Sequence, residues 1–175
     1  MKNQKTLSRY IVTAALIAAA YAALTYLSAA FGLAYGGIQF RLSEALNILA
    51  AFTPAAIPGL VIGCIIGNIG SPMGLIDVAI GTVATLLAAI SIRLLARLCK
   101  NATPFVGIIP PTLFNAVLVG LEITWFLPEG VTWAGFSVIA LEVAIGEIAV
   151  CGALGVPLYF TAKKYMNKLF KLEFR

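Results

Sequence analysis

The chain has 175 residues, of which 61% are hydrophobic and only 11% charged. A soluble domain of this size cannot hide so much apolar surface, which leaves an all-α integral membrane protein with a single membrane domain over residues 1–175. The net charge of +5 does not signal nucleic acid, because the basic residues sit at the ends of apolar segments rather than across one soluble face.

Residues 1–9 are polar and basic, with Lys2, Lys5 and Arg9. Residues 10–30 are apolar and long enough to span a hydrocarbon core of ~30 Å. The run exceeds the roughly 7–15 apolar residues of a signal peptide, so it reads as a first span. It carries two rows of small residues, Ala14, Ala18, Ala22 and Ala15, Ala19, Ala23. Such rows serve close packing within the chain or docking onto another membrane protein. Residues 31–39 form a glycine-rich loop with aromatics, suited to cover a pocket or to anchor at the interface. Residues 41–52 are apolar but short, about 18 Å at the ~1.5 Å rise of an α-helix. Thr53-Pro54 breaks them, and Pro58 suits the first turn of a third segment over 58–69. Gly59, Gly63 and Gly67 line one face there and lack the G-x-G-x-x-G spacing of a dinucleotide site. Residues 75–97, 106–127 and 133–162 complete the apolar segments. Trp125 and Trp133 flank the loop between the last two, as interfacial anchors or as stacking platforms for a flat ring.

Charge fixes the expected topology. If residues 41–70 cross twice, there are six spans, and the N-terminus, the 93–104 loop and the C-terminus share one side. Eleven of the twelve Lys and Arg residues then lie on that side, and Arg41 alone does not. A single crossing would split the basic clusters. The positive-inside rule therefore favours a compact bundle of six transmembrane helices in the plasma membrane, with both termini cytoplasmic.

In that frame the ionisable residues within the spans gather in the outer half. Arg41 and Glu44 are three apart on one helical face, Asp77 opens the fourth span, Glu122 lies near the outer end of the fifth, and Glu142 and Glu147 near the outer end of the sixth. They sum to one positive and five negative charges. Asn47 and Asn68 stand among them. Groups this costly in a bilayer face a protein interior or a water-filled cavity. Structural pairing does not require an acidic excess, so an outward-facing pocket for a small molecule that is cationic or rich in N–H donors is expected.

Other chemistry is missing from the sequence. There is no histidine and no G-x-x-x-x-G-K-[ST] motif, so no chain-borne nucleotide hydrolysis, metal site or cofactor is expected. Cys64, Cys99 and Cys151 read as small packing residues. No nucleophile–base pair points to an enzyme. The alternative to a binding subunit is a stand-alone ion- or proton-coupled carrier that uses the same carboxylates as relays.

Five pieces carry a resemblance: F-R-L-S-E-A-L (40–46), I-P-G-L-V-I-G-C-I-I-G-N (57–68), D-V-A-I-G-T-V-A-T-L-L-A (77–88), P-P-T-L-F-N-A-V-L-V-G-L (110–121) and G-E (146–147). Together they resemble the queuosine-precursor transporter (QueT) family of substrate-binding (S) components of energy-coupling-factor (ECF) transporters. The resemblance implies a six-helix S component that captures a 7-deazaguanine, such as 7-cyano- or 7-aminomethyl-7-deazaguanine or queuine. It implies as partners a transmembrane coupling subunit and two cytoplasmic ATPase subunits. By matching motif the site candidates are Arg41, Glu44, Asn68, Asp77, Asn115 and Glu147. Glu122 and Glu142 come from depth, Trp125 from its ring. Ala14, Ala15, Ala18, Ala19 and Ala22 resemble the small-residue face that S components dock with.

Overall fold

The computed structural model describes residues 2–35, 38–99 and 102–169. Gly36 and Gly37 of the expected loop and Lys100, Lys171 and Arg175 of the expected basic ends lie outside the described residues, as do the side chains of Lys2, Lys5 and Lys168. Among the described residues all regular structure is helical. The order is α1 (Lys2–Ala30), a 3₁₀ helix (Leu42–Ala51), α2 (Ala56–Asn68) and α3 (Leu75–Leu98). A fifth stretch holds α4 (Thr103–Val106), α5 (Ile109–Phe114), a first π turn (Asn115–Val119) and α6 (Gly120–Trp125). The last holds α7 (Trp133–Val150), a second π turn (Cys151–Gly155) and α8 (Val156–Leu169).

Four stretches are long and apolar enough to cross a membrane: Thr6–Ala30, Leu75–Leu98, Thr103–Trp125 and Trp133–Tyr165. The two helices between α1 and α3 are shorter. The outer surface carries Leu16, Ile62, Ile65, Val83, Leu87, Leu141, Ile145 and Ile148, while Arg41, Glu44, Asn47, Asn68, Asp77, Glu122 and Glu147 are buried. Apolar outside and polar within is the arrangement of a multi-pass membrane protein whose solvent is lipid.

The closest helix pair is α1 against α2, and the glycine row explains it. A Cβ at Gly59 would meet the Ala14 carbonyl oxygen at 2.7 Å, one at Gly63 the Tyr21 Cβ at 2.6 Å, and one at Gly67 the Thr25 Cβ at 2.9 Å. Only hydrogen fits there, so the two backbones touch. Ala14, Ala18 and Ala22 point into this seam and are buried. These three of the expected docking residues lie inside the chain. Ala15, Ala19 and Ala23 form the exposed row.

The second segment is a 3₁₀ helix rather than the expected α-helix. At about 2.0 Å per residue it gains length, and residues three apart eclipse. Arg41, Glu44, Asn47 and Ala50 therefore form one column, all buried. Ten residues is long for a 3₁₀ helix, whose hydrogen bonds are poorer than those of an α-helix. Packing sustains it: α1, α2, α3, α7, α8 and the second π turn all surround it. Its ends are also tied down. The Leu42 N–H donates to Ser28 Oγ at 3.0 Å, and Arg93 donates to the terminal carbonyls of Ala50 and Ala51 at 3.4 and 3.3 Å. Below it lies an apolar core of Ile48, Phe52, Leu60, Ile92 and Tyr159.

Proline accounts for the second π turn. Pro157 has no N–H for the carbonyl of Ala153, four residues earlier and inside that turn. Each π turn opens on a polar residue of the interior, Asn115 or Cys151. Wide turns of this kind re-aim side chains and recur at functional sites.

Candidate functional site

Two polar groups sit inside the bundle, joined by the 3₁₀ column. Arg41 at the head of the column belongs to one, and Glu44 and Asn47 further along belong to the other.

The carboxylates of the Glu44 group are closed, although Asn47 Oδ1 beside them has no partner. Tyr21 Oη donates to Glu44 Oε1. Glu44 Oε2 accepts from Asn47 Nδ2 at 2.6 Å and from Asn115 Nδ2 at 3.3 Å. The same Asn115 amide donates to Glu147 Oε1 at 2.8 Å, and Cys151 Sγ donates to Glu147 Oε2 at 3.7 Å. Every oxygen of the two carboxylates has a donor, supplied from α1, the 3₁₀ helix and both π turns. Such a network, satisfied in a low dielectric, fixes one packing of the helices around it.

The Arg41 group is open. Arg41 Nη2 donates to Asn68 Oδ1, and Asn68 Nδ2 donates to the Asp77 carbonyl at 3.1 Å. Asn68 reaches α3 because Gly81 stands there: a Cβ at Gly81 would lie 2.5 Å from Asn68 Nδ2. Cys64 Sγ accepts from Thr85 at 3.3 Å behind this bridge. Among the described residues six buried side-chain atoms lack a hydrogen-bond partner, and four belong here: Arg41 Nε, Asp77 Oδ1 and both oxygens of Glu122, the others being Asn47 Oδ1 and Thr82 Oγ1. Glu122 lies within electrostatic reach of Asp77 and Arg41. Buried polar groups are normally paired, and each orphan costs about 1–3 kcal/mol. One donor atom and three acceptor atoms here, on Arg41, Asp77 and Glu122, are buried without partners.

The segment after α1 closes this end. α1 stops at a left-handed Gly32 (φ 71°), with Gly32 N–H donating to Ala29 O at 2.9 Å and Leu33 N–H to Ser28 O at 2.8 Å. Phe40 N–H donates to Leu33 O at 2.9 Å, and Tyr35 Oη to Gly67 O at 2.8 Å. The loop is thereby stapled to the end of α2 beside Asn68. Gln39 is buried against α7, where its carbonyl abuts Gly146 so closely that no Cβ fits.

The motif-derived candidates thus divide. Arg41, Asn68 and Asp77 share the open group with Glu122, while Glu44, Asn115 and Glu147 share the closed one. Glu142 is half-buried and belongs to neither. Trp125 is 72% exposed and Trp133 86%, so Trp125 is on the outer surface, not on the wall of either group. Rings at that position suit the headgroup level. Tyr21 and Cys151 were not expected as polar partners. The signal for Tyr21 is the spacing Tyr21, Thr25, Ser28, a polar stripe on one face of α1 that meets the 3₁₀ helix; Thr25 Oγ1 donates to Ser43 Oγ at 2.8 Å.

The family model described as "QueT transporter" matches residues 11–164. The "Queuosine precursor transporter QueT" of Lactococcus lactis subsp. cremoris (strain MG1363) is 42% identical over 87 residues, 50% of this chain and 50% of that protein. The aligned part thus spans about half the length of this curated relative. No solved structure matches. With nearly the whole length of its helical bundle inside the family match, the chain belongs to the QueT transporter family.

Proposed function

We propose that this chain is the substrate-binding component of an energy-coupling-factor importer and captures a queuosine precursor of the 7-deazaguanine class. The observation that carries the reading is the set of unpartnered atoms on Arg41, Asp77 and Glu122. A guanine-like edge presents a carbonyl acceptor, a ring N–H and an exocyclic amine in a row. The carbonyl suits Arg41 Nε, and the two N–H donors suit one carboxylate in a bidentate pair. The second carboxylate then suits the cation of an aminomethyl substituent. Asn68 holds Arg41, residues 31–35 and 38–40 cover the ligand, and the Glu44–Asn115–Glu147 group forms the floor. The printed name of the Lactococcus protein supports the same ligand class.

In this reading the chain crosses the membrane six times with both termini cytoplasmic, and the ligand enters from outside. The exposed row Ala15, Ala19, Ala23 faces the coupling subunit, and two ATPase subunits supply the energy. The test is calorimetric titration of the purified chain with 7-aminomethyl-7-deazaguanine. Asp77→Asn and Glu122→Gln each turn acceptors into donors facing ligand donors. Each is expected to lose ~2–4 kcal/mol, roughly 30- to 1000-fold in affinity. Parent-like binding by both variants would move the ligand away from this group.

A further inference from the structure

A small recess lies at the far side of the closed group, lined by Glu44, Asn47, Pro104, Gly107, Pro111 and Cys151 among others, with room for about one water-sized sphere. It borders α4 and α5, at the opposite end of the fifth stretch from Glu122. Asn47 is 1% exposed, and its Oδ1 has no hydrogen-bond partner.

The α4–α5 wall presents acceptors and no free donors. Pro104 and Pro111 have no N–H. The Gly107 N–H is committed to Thr103 O at 2.8 Å, and the Ile108 N–H to Phe105 O at 3.2 Å. The Gly107 carbonyl lacks its ordinary helical donor, because that residue is Pro111. Opposite, Asn47 Nδ2 is spent on Glu44 and Cys151 Sγ is directed at Glu147 and the Glu44 carbonyl. The recess thus offers oxygen acceptors and no free donor: Asn47 Oδ1, which has no partner, the Gly107 carbonyl, and Glu44, whose oxygens already accept bonds from Tyr21, Asn47 and Asn115. Charge points the same way. The buried set holds Arg41 against Glu44, Glu147, Asp77 and Glu122, so a ligand with one positive charge still leaves a negative excess.

We propose that this recess is a binding site for a monovalent metal cation, held by Asn47 Oδ1, the Gly107 carbonyl and Glu44. Hard cations take such oxygen sets, and the ion offsets charge that water cannot. The site is separate from the ligand group yet joined to it through the 3₁₀ column, and any effect of the ion on ligand affinity is matched by an equal effect of the ligand on the ion.

The experiment melts the purified full-length chain in choline chloride and in lithium, sodium and potassium chloride at equal ionic strength. One alkali ion is expected to raise Tm by about 3 °C or more with saturation, while choline does not. Asn47→Leu, which keeps the bulk and removes the oxygen, is expected to lose that rise. Should Asn47→Leu not fold, the sodium-23 resonance line on the parent chain decides. Broadening that saturates near one ion per chain supports the site, and an unbroadened line overturns it. Identical melting in all four salts, or a rise that persists in Asn47→Leu, also overturns it and leaves the recess to water. Ligand titration in choline chloride reads the substrate site independently, so failure of the cation site does not count against the ligand reading.

Discussion

Each of the two polar groups holds a pair of buried acids, and the pairs differ in how their oxygens are met. Around Glu44 and Glu147 each carboxylate oxygen meets a donor, from Tyr21, Asn47, Asn115 or Cys151. Around Arg41 the acids Asp77 and Glu122 are equally buried, yet three of their oxygens and Arg41 Nε meet nothing. What sets the two pairs of acids apart is hydrogen-bond satisfaction of their oxygens. A closed network does its work in the folded protein by itself. An open one holds a cost that only a partner relieves. In the proposed function the closed group is the brace and the open group the receptor, and one chemical edit, carboxylate to amide, tells them apart.

The largest effect is expected from Glu44→Gln. The new amide donors face Tyr21 Oη and the amides of Asn47 and Asn115, which are donors themselves. A loss of about 2–4 kcal/mol of stability follows, read as a fall in Tm. A parent-like melting curve would break the distinction between the groups.

Gly63→Ala reaches the same network by packing alone. The added methyl falls 2.6 Å from Tyr21 Cβ and 2.8 Å from the Ala18 carbonyl oxygen, so α1 must shift and carry Tyr21 away from Glu44. Overpacking of this kind costs about 1–3 kcal/mol. Chemical denaturation measures it, and a change smaller than about 0.5 kcal/mol would mean the seam is looser than its contacts suggest.

In the open group the same edit has the opposite sign for the empty protein. Asp77→Asn and Glu122→Gln remove charges that have no partner in the folded chain. Their Tm without ligand is expected to be unchanged within about 0.5 kcal/mol, or raised, while ligand affinity falls as given above. A marked loss of stability in both would make Asp77 and Glu122 braces after all.

The smallest effect belongs to Ala19→Leu, whose side chain leaves the bundle. Neither group is disturbed, and Tm is expected to stay within about 0.5 kcal/mol of the parent. Yield of the complex with the coupling subunit is expected to fall, because leucine holds helices apart. Ala18→Leu, pressed into the α1–α2 seam, is expected instead to destabilise the chain before any partner is added.

Much of this was legible in the sequence. Composition gave the membrane class, because so apolar a chain has no soluble fold that hides it. The breaks at Thr53-Pro54 and around Gly70–Gly74 gave the short second and third segments, because proline and glycine interrupt helices locally. Cost in a bilayer singled out Arg41, Glu44, Asn47, Asn68, Asp77, Glu122, Glu142 and Glu147, all buried except the half-buried Glu142, and the motif resemblance added the buried Asn115. The tertiary structure decided what no local pattern holds. It turned residues 42–51 into a 3₁₀ column, since packing by six surrounding elements outweighs the backbone preference for an α-helix. It chose Ala14, Ala18 and Ala22 for the seam and left Ala15, Ala19 and Ala23 outside, a choice made by where the glycine row of α2 lies. And it sorted the carboxylates into satisfied and unsatisfied, because a hydrogen-bond partner is a matter of distance in space: Glu44 finds Asn115 across 71 residues of chain, and Glu122 finds no donor at all.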